Sequence, residues 1–366
     1  MTRTPVVLVT GVDADAMAAT TVGLQFDLPF AVVLRHVLDV DAQRLTRVVS
    51  DMTGVLETVH LDLEHACVAC AIREDVVPTL ERLAADGRWG AIVAHLPVAA
   101  EALQVCRVVA TRPDAAPHVE VCAVVTALDA ATVTDDLLGD ALLHEHGLHT
   151  SDDDTRGLAE TTTGLVEYAD AIVLTGATTD GDVAADLLRT LARPGVPVVD
   201  DPSRLDAAPL VAGVHQHRRT ERWVDVVRRG RLPDLDSPHV WRLDLRSDRP
   251  FHPGRILESI ELVGGGPRRS RGCFWLPSRP GDACAWDGAG GQLSVGTASP
   301  WGLADPLTRI VVVGLVGDDH QGGAAGVREA FEHCLLSDTE IARSGTFWDV
   351  VDDGLEPWLG PVRHVA

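Results

Sequence analysis

The 366-residue sequence predicts an α/β fold: a doubly wound parallel sheet followed by a smaller α+β domain. Three observations predict it. From residue 1 to about 202, short apolar runs alternate with stretches of helical period, the pattern of βαβ units. The pattern lapses over 203–238, an Arg-rich, polar, Pro-containing linker. Over 239–366 strand-like runs follow one another before a helix, a different grammar.

In order, "PVVLVT" (5–10), "FAVVLR" (30–35), "GAIVAHL" (90–96), "VEVCAVVTALD" (119–129), "ADAIVLTG" (169–176) and "GVPVVD" (195–200) read as buried strands. They are continuous apolar runs, as strands covered on both faces are. Between them "IREDVVPTLERLAADG" (72–87) puts Val76, Val77, Leu80, Leu83 and Ala84 on one helical face, with Gly87 as the C-cap. The linker holds one short predicted helix. In the second domain "VWRLDLR", "RGCFWLP", "GQLSVGT" and "TRIVVVGLVG" read as strands and "GGAAGVREAFEHCLL" (322–336) as a helix. No internal repeat is evident.

Composition narrows the function. Hydrophobic residues make up 46% and charged residues 23%, which suits a soluble globular chain. The net charge of −23 repels nucleic-acid phosphate, so DNA is not an expected partner and basic proteins are the natural ones. There is no lysine and no asparagine, so all 31 basic residues are arginine and chemistry needing either side chain is excluded. Seven scattered cysteines, no apolar run of membrane-spanning length and no evident signal peptide give a cytoplasmic expectation, with reduced thiols and no membrane partner.

"TGVDADAMAATT" (10–21) stands where a nucleotide-binding α/β protein keeps its phosphate loop, G-x-x-x-x-G-K-[ST]. Aligned from Gly11, the second glycine becomes Ala16, the lysine Met17 and the Mg²⁺-binding hydroxyl Ala18. Asp13 and Asp15 stand where phosphates would lie, and also suit a cap and first turn of the following helix. The first domain is thus P-loop-NTPase-like in pattern, with Gly11, Asp13, Asp15 and Met17 marking a degenerate loop.

Several segments together resemble the CobW-like metal-handling GTPases. "HACVACAIREDVVPTLERLA" (65–84) is similar to that family's CxCC element with "xIRxDL". "VVTALDAATV" (124–133) resembles its strand-plus-"DA" segment, and "GLVEYADAIVLTG" (164–176) its "QxEfADvIvLNK". "RSDRPFHPGRI" (246–256), "RSRGCFWLPSRP" (269–280), "AGGQLSVG" (289–296) and "EHCLLSDTE" (332–340) resemble the CobW C-terminal domain. The departures are as specific as the matches. The guanine-reading N-K-x-D falls at Thr175, Gly176, Ala177 and Thr178, the acidic end of the family's "hhhE" strand at His95, and CxCC has become Cys67-Val68-Ala69-Cys70. Each lost charge-assisted contact is worth roughly 1.5–3 kcal/mol, so a micromolar nucleotide site would fall to about millimolar or worse. Arg35, Arg44 and Arg47 lie not far along the chain, and nothing in the sequence places them at a phosphate. GTP binding and hydrolysis are therefore not expected. The pattern resembles an actinobacterial branch named as ribosome-hibernation-factor-recruiting GTPases. The resemblance implies two partners under zinc limitation, a ribosome hibernation factor and the small ribosomal subunit.

Cys67 and Cys70 are the sharpest metal candidates, since C-x-x-C puts two thiolates in reach of one ion and His65 offers a third donor. Zinc is the ion they would hold; a redox pair or inert thiols are the other readings. His144, His146 and His149 lie beside aspartates in "HEHGLHTSDDD", either a metal-buffering tract or a solvated loop, and "HQH" (215–217) reads as plain linker. "RPFHP" (249–253) and "RRSRG" (268–272) are basic stretches that would meet phosphate or an acidic partner, or else stand on the solvated face of a sheet whose core takes Phe251, Phe274 and Trp275. Trp223, Trp241, Trp286, Trp301, Trp348 and Trp358 crowd the C-terminal half, where some would serve as partner anchors. The function expected is a non-catalytic adaptor recruiting a hibernation factor; the alternatives are a zinc metallochaperone GTPase and a redox protein.

Overall fold

The computed structural model describes residues 3–62, 68–149, 151, 153–177 and 181–362. The chain divides into two compact units, residues 1–136 with 141–223, and residues 137–140 with 224–366.

The first unit is built on an eight-stranded sheet in the order β4-β3-β2-β5-β1-β6-β7-β8. Six strands run parallel: β1 (Thr4–Gly11), β2 (Ala31–Asp39), β5 (Ala91–His95), β6 (Val119–Asp129), β7 (Ala171–Thr175) and β8 (Val198–Val199). They are the six apolar runs of the sequence, and β1, β5 and β6 are buried almost throughout. The predicted all-parallel sheet is extended on one side by an antiparallel pair, β3 (Arg44–Asp51) and β4 (Gly54–Asp62). The strands of this pair alternate polar and apolar residues and end the sheet in a half-solvated edge, an arrangement open to antiparallel strands only.

Helices cover the sheet. Among them α1 (Ala14–Asp27) follows β1, and α2 (Val77–Ala85) is entered through a single helical turn (Val68–Ala71) and a π-turn (Ile72–Val76). The predicted face of α2 is the buried one: Val76, Val77, Leu80, Leu83 and Ala84 are all enclosed, and Gly87 takes the left-handed φ of +66° a C-cap needs. Then come α3 (Ala102–Thr111), α4 (Val133–Leu138), α5 (Leu158–Tyr168) and α6 (Gly181–Leu191). Residues 203–238 hold two helices rather than the one expected, α7 (Ala207–Gly213) and α8 (His217–Val224). Leu205, Ala207 and Leu210 belong to the core against β1 and β6, so the polar composition of this stretch hides an apolar face.

The second unit is a five-stranded antiparallel sheet, β12-β11-β10-β13-β9, made of β9 (Val240–Ser247), β10 (Arg269–Phe274), β11 (Asp282–Ala289), β12 (Gln292–Pro300) and β13 (Thr308–Leu315). Two helices, α9 (Pro253–Gly264) and α10 (Gly323–Cys334), contribute Ile256, Val263, Val327 and Phe331 to a core with Phe251, Phe274 and Trp286. Of the arginines of "RRSRG", Arg271 is half-buried beside Asp287 and the other two do not stand on the solvated face. Arg268 and Arg269 are buried; Arg269 pairs with Asp287, and Arg268 Nη2 donates to the His320 carbonyl at 2.8 Å. Burial pushes the Arg268 guanidinium below its usual value. Trp286 is likewise core and not an anchor, its Nε1 donating to Ser270 Oγ at 2.9 Å.

Candidate functional site

In an open parallel sheet, ligands bind beyond the strand C-termini where chain connections diverge. Here that point lies between β1 and β6, at Gly11 and its register partner Ala127. Only Val12 and Asp13 separate the end of β1 from the start of α1, so no wide loop wraps the place of a phosphate. Asp13 is the N-cap: its Oδ1 accepts the Ala16 N–H at 2.6 Å, adding about 1 kcal/mol of helix stability. A helix N-terminus attracts anions through such N–H groups, and here one of them already holds a carboxylate. Asp15, exposed in the first turn, and Asp129 at the end of β6 add two more acids.

Met17, at the position of the phosphate-loop lysine, points the other way. It is wholly buried, packed in the core cluster with Val9, Val125, Ala127 and Leu24. Gly11 has a structural reason to remain. A Cβ there would stand 2.3 Å from the Ala127 carbonyl oxygen and 2.9 Å from Met17 Cγ, so only glycine lets strand, strand and helix meet. Thr175 closes β7 and Gly176 follows at φ +78°; Thr178 lies outside the described residues.

Beside this crevice the C-terminal ends of β2 and β5 carry a buried polar network. His95 ends β5, and its Nδ1 is 3.0 Å from the Thr21 hydroxyl, which itself donates to the Met17 carbonyl at 2.7 Å. The single Thr21 proton being committed there, His95 Nδ1 is the donor. Burial, with the charges of Arg35 and His36, depresses the His95 pKa to about 4. Next to it His36 Nε2 lies 2.7 Å from Asp75 Oδ2, and Arg47 pairs with both Asp75 and Glu57 and donates to Thr79 Oγ1 at 3.0 Å. Burial alone would raise the Asp75 pKa; the bond and charge of His36, with Arg47, outweigh it and hold the carboxyl low. Of the three arginines that follow the loop, Arg47 is thus tied to this network and Arg44 to Asp62, while Arg35 stands exposed beside His95.

The π-turn that places Asp75 begins two residues after Cys70. Such turns recur at functional sites because the extra residue re-aims a side chain. Cys70 is half-buried, with Arg73 Nη2 3.9 Å from its sulfur. His65 and Cys67 lie outside the described residues, so of the predicted metal set the structure places Cys70 alone. Among the described residues no group of three His, Cys, Asp or Glu is gathered on one point. His144 and His146 are exposed on a short 3₁₀ turn, as a solvated tract would be. "HQH" is not plain linker: His215 and His217 are bonded to Asp170 and Tyr168, contacts spanning 45 and 49 residues that no local spacing foretells. No helix among the described residues is long and apolar enough to cross a membrane.

Residues 22–191 match the family model of the CobW/HypB/UreG nucleotide-binding domain, a match that begins beyond Gly11, Asp13 and Met17. Residues 240–335 match the cobalamin synthesis protein CobW C-terminal domain. The chain is 30% identical over 395 residues to a zinc chaperone of Mycobacterium tuberculosis, covering 99% of this chain and 95% of that one. It is 21% identical to zinc-regulated GTPase metalloprotein activator 1 of Dictyostelium discoideum, covering 83% and 70%. Among solved structures it is similar to the Zn(II)-bound YjiA GTPase of E. coli at 17% identity and a TM-score of 0.37, over 92% of this chain and 100% of that one, too slight a likeness to support an inference. The chain belongs to the CobW family.

Proposed function

We propose that this chain is a nucleotide-independent member of the CobW family that serves zinc homeostasis by binding other proteins. Its task under zinc limitation is to bring a ribosome hibernation factor to the small ribosomal subunit. One observation carries the nucleotide-independent part: the first turn of α1 is capped by its own Asp13, while Met17 lies in the core instead of reaching toward a phosphate. Backbone N–H groups at a helix start attract an anion, but without a lysine or a metal-binding hydroxyl they do not stabilise charge developing on a γ-phosphate. Zinc is supported by the name of the mycobacterial relative and by Cys70 in the helical turn just before the π-turn. The partner assignment follows from the resemblance of the degenerate motifs to the actinobacterial branch. Affinity capture from zinc-depleted cells of the source organism tests it: the chain should recover small-subunit proteins together with a hibernation factor. Recovery of neither removes the adaptor role.

The names of the two relatives favour a second reading, a zinc metallochaperone that uses GTP. Purified chain that hydrolyses GTP, and stops doing so on Cys67→Ala, would establish that reading in place of the first.

A further inference from the structure

Near the start of β6, α8 turns a cationic face to solvent. The helix buries Thr220 and leaves Arg218, Arg219 and Arg222 exposed. At 3.6 residues per turn the three lie within about 100° of one another, on the side away from Thr220. Arg222 Nε donates to the Arg218 carbonyl at 3.1 Å, one turn back, which leaves its Nη groups for a ligand. Among the described residues no carboxylate pairs with any of the three. Glu221, the one acid of the helix, is taken instead by Arg107 of α3 at 2.8 Å and by His217 at 3.5 Å. The face thus keeps three guanidinium charges in a chain whose net charge is −23. Exposed charges farther off than about 8 Å are largely screened at physiological salt, so the local excess governs what approaches.

Beside the first turn of α8 lies a cavity of about 290 Å³, lined among others by His217, Val109 of α3, Val119, Glu120 and Arg3. We infer that this face binds single-stranded RNA, the α8 arginines holding its phosphates and the cavity taking one splayed base. The inference deepens the adaptor reading, on which it rests, by naming what the chain grips on the small ribosomal subunit. Guanidinium forks match phosphate oxygens two at a time, and they match the carboxylates of an acidic protein as well. The cavity separates the two. Single-stranded RNA offers unstacked bases to pockets beside its backbone contacts. Glu120 accepts an N–H from a base edge and repels a carboxylate, and Val109 and Val119 suit the flat face of a base and not a charge.

This face is separate from the crevice. The His215 N–H, just before α8, donates to the Cys122 carbonyl near the start of β6 at 2.7 Å, whereas Gly11 pairs with Ala127 near the end of that strand. Neither the degenerate phosphate loop nor Cys70 takes part.

The probe is a labelled RNA strand of about 12 nucleotides, a length such faces cover, titrated with the full chain at several salt concentrations and read by fluorescence anisotropy. Each phosphate contact on a single strand contributes about −0.7 to the slope of log affinity against log salt, so three give about −2. Arg218→Gln, Arg219→Gln and Arg222→Gln together should bring the slope near zero and weaken binding about 10–100-fold at low salt. Val109→Trp, which fills the cavity from a half-buried position, should weaken binding about tenfold and keep the slope. Circular dichroism checks the fold; should Val109→Trp unfold, the exposed arginines decide alone. A parent slope near zero, an unchanged slope in the triple variant, or full affinity in folded Val109→Trp would overturn the inference. So would equal affinity for polyglutamate of the same length, which would assign the face to an acidic protein. Cell capture that recovers no small-subunit protein while RNA binding persists would remove the adaptor reading alone. Capture that succeeds while RNA binding fails would remove this inference alone.

Discussion

Met17→Lys should cost the first unit about 3–5 kcal/mol, the penalty of an uncompensated charge in a buried place, and should create no site for GTP. In a P-loop protein the same substitution merely restores the residue that grips the β- and γ-phosphates. The difference lies in where the side chain goes. Met17 is enclosed by Val9, Leu24, Val125 and Ala127, and the cap at Asp13 holds the turn that directs it there. An ammonium has no acceptor in that company, so it either distorts α1 or stays buried and unpaired. For a unit of this size each kcal/mol moves the melting temperature by roughly 2–4 °C, which puts the expected drop at about 6–20 °C. Met17→Leu, close in volume, should cost less than about 1.5 kcal/mol. Scanning calorimetry of the three proteins checks both figures. A lysine variant as stable as the parent would mean that the side chain has a polar route out of the core, and the closed crevice would be wrong.

The second large effect is a loss of stability between about pH 6.5 and 4, traceable to His95. An exposed histidine in the unfolded chain takes up a proton near 6.5, while in the folded state burial and the nearby charges of Arg35 and His36 delay that to about 4. In this window the unfolded chain binds more protons, so folding stability falls as pH falls, and below about 4 the difference is fully developed. At 1.36 kcal/mol per pKa unit the shift corresponds to about 3 kcal/mol. His95→Gln keeps an N–H donor for Thr21 and removes the titration. The urea midpoint of the parent should drop across this window, and that of the variant should drop by markedly less. Parallel slopes for the two would deny His95 its buried, neutral state. Asp75 acts in a separate range: with its folded pKa lowered, its stabilisation is present above the ordinary carboxylate value and lost as pH falls through the lowered one.

What sequence could foresee follows from the physics of each element. The strand β6 is legible residue for residue because it is buried on both faces and reads as one apolar run. By contrast β3 and β4 lie on the half-exposed edge, where "RLTRVVSD" and "GVLETVHLD" alternate and carry charge, and they pass for connecting chain. The helix α9 had a usable signal, apolar residues at 256, 260 and 263 after a Pro at its start, but its N-cap is His252, which a search for Ser, Thr, Asp or Asn overlooks. Buried arginines mislead in the other direction: Arg269 and Arg309 look solvated until Asp287 and Asp244 are seen across the strands. In the crevice, the loss of lysine and hydroxyl was legible from position alone. The inward turn of Met17 was not, since it depends on α1 starting at Ala14 and on the closeness of β6.

The crevice between β1 and β6 is filled by the protein itself. Isothermal calorimetry of GTP–Mg²⁺ into the purified chain, with its zinc content fixed by elemental analysis, tests it most directly. No binding heat is expected at nucleotide concentrations well into the micromolar range. A saturable, magnesium-dependent isotherm with micromolar affinity would show that Asp13 and Met17 yield to a triphosphate, and would contradict it.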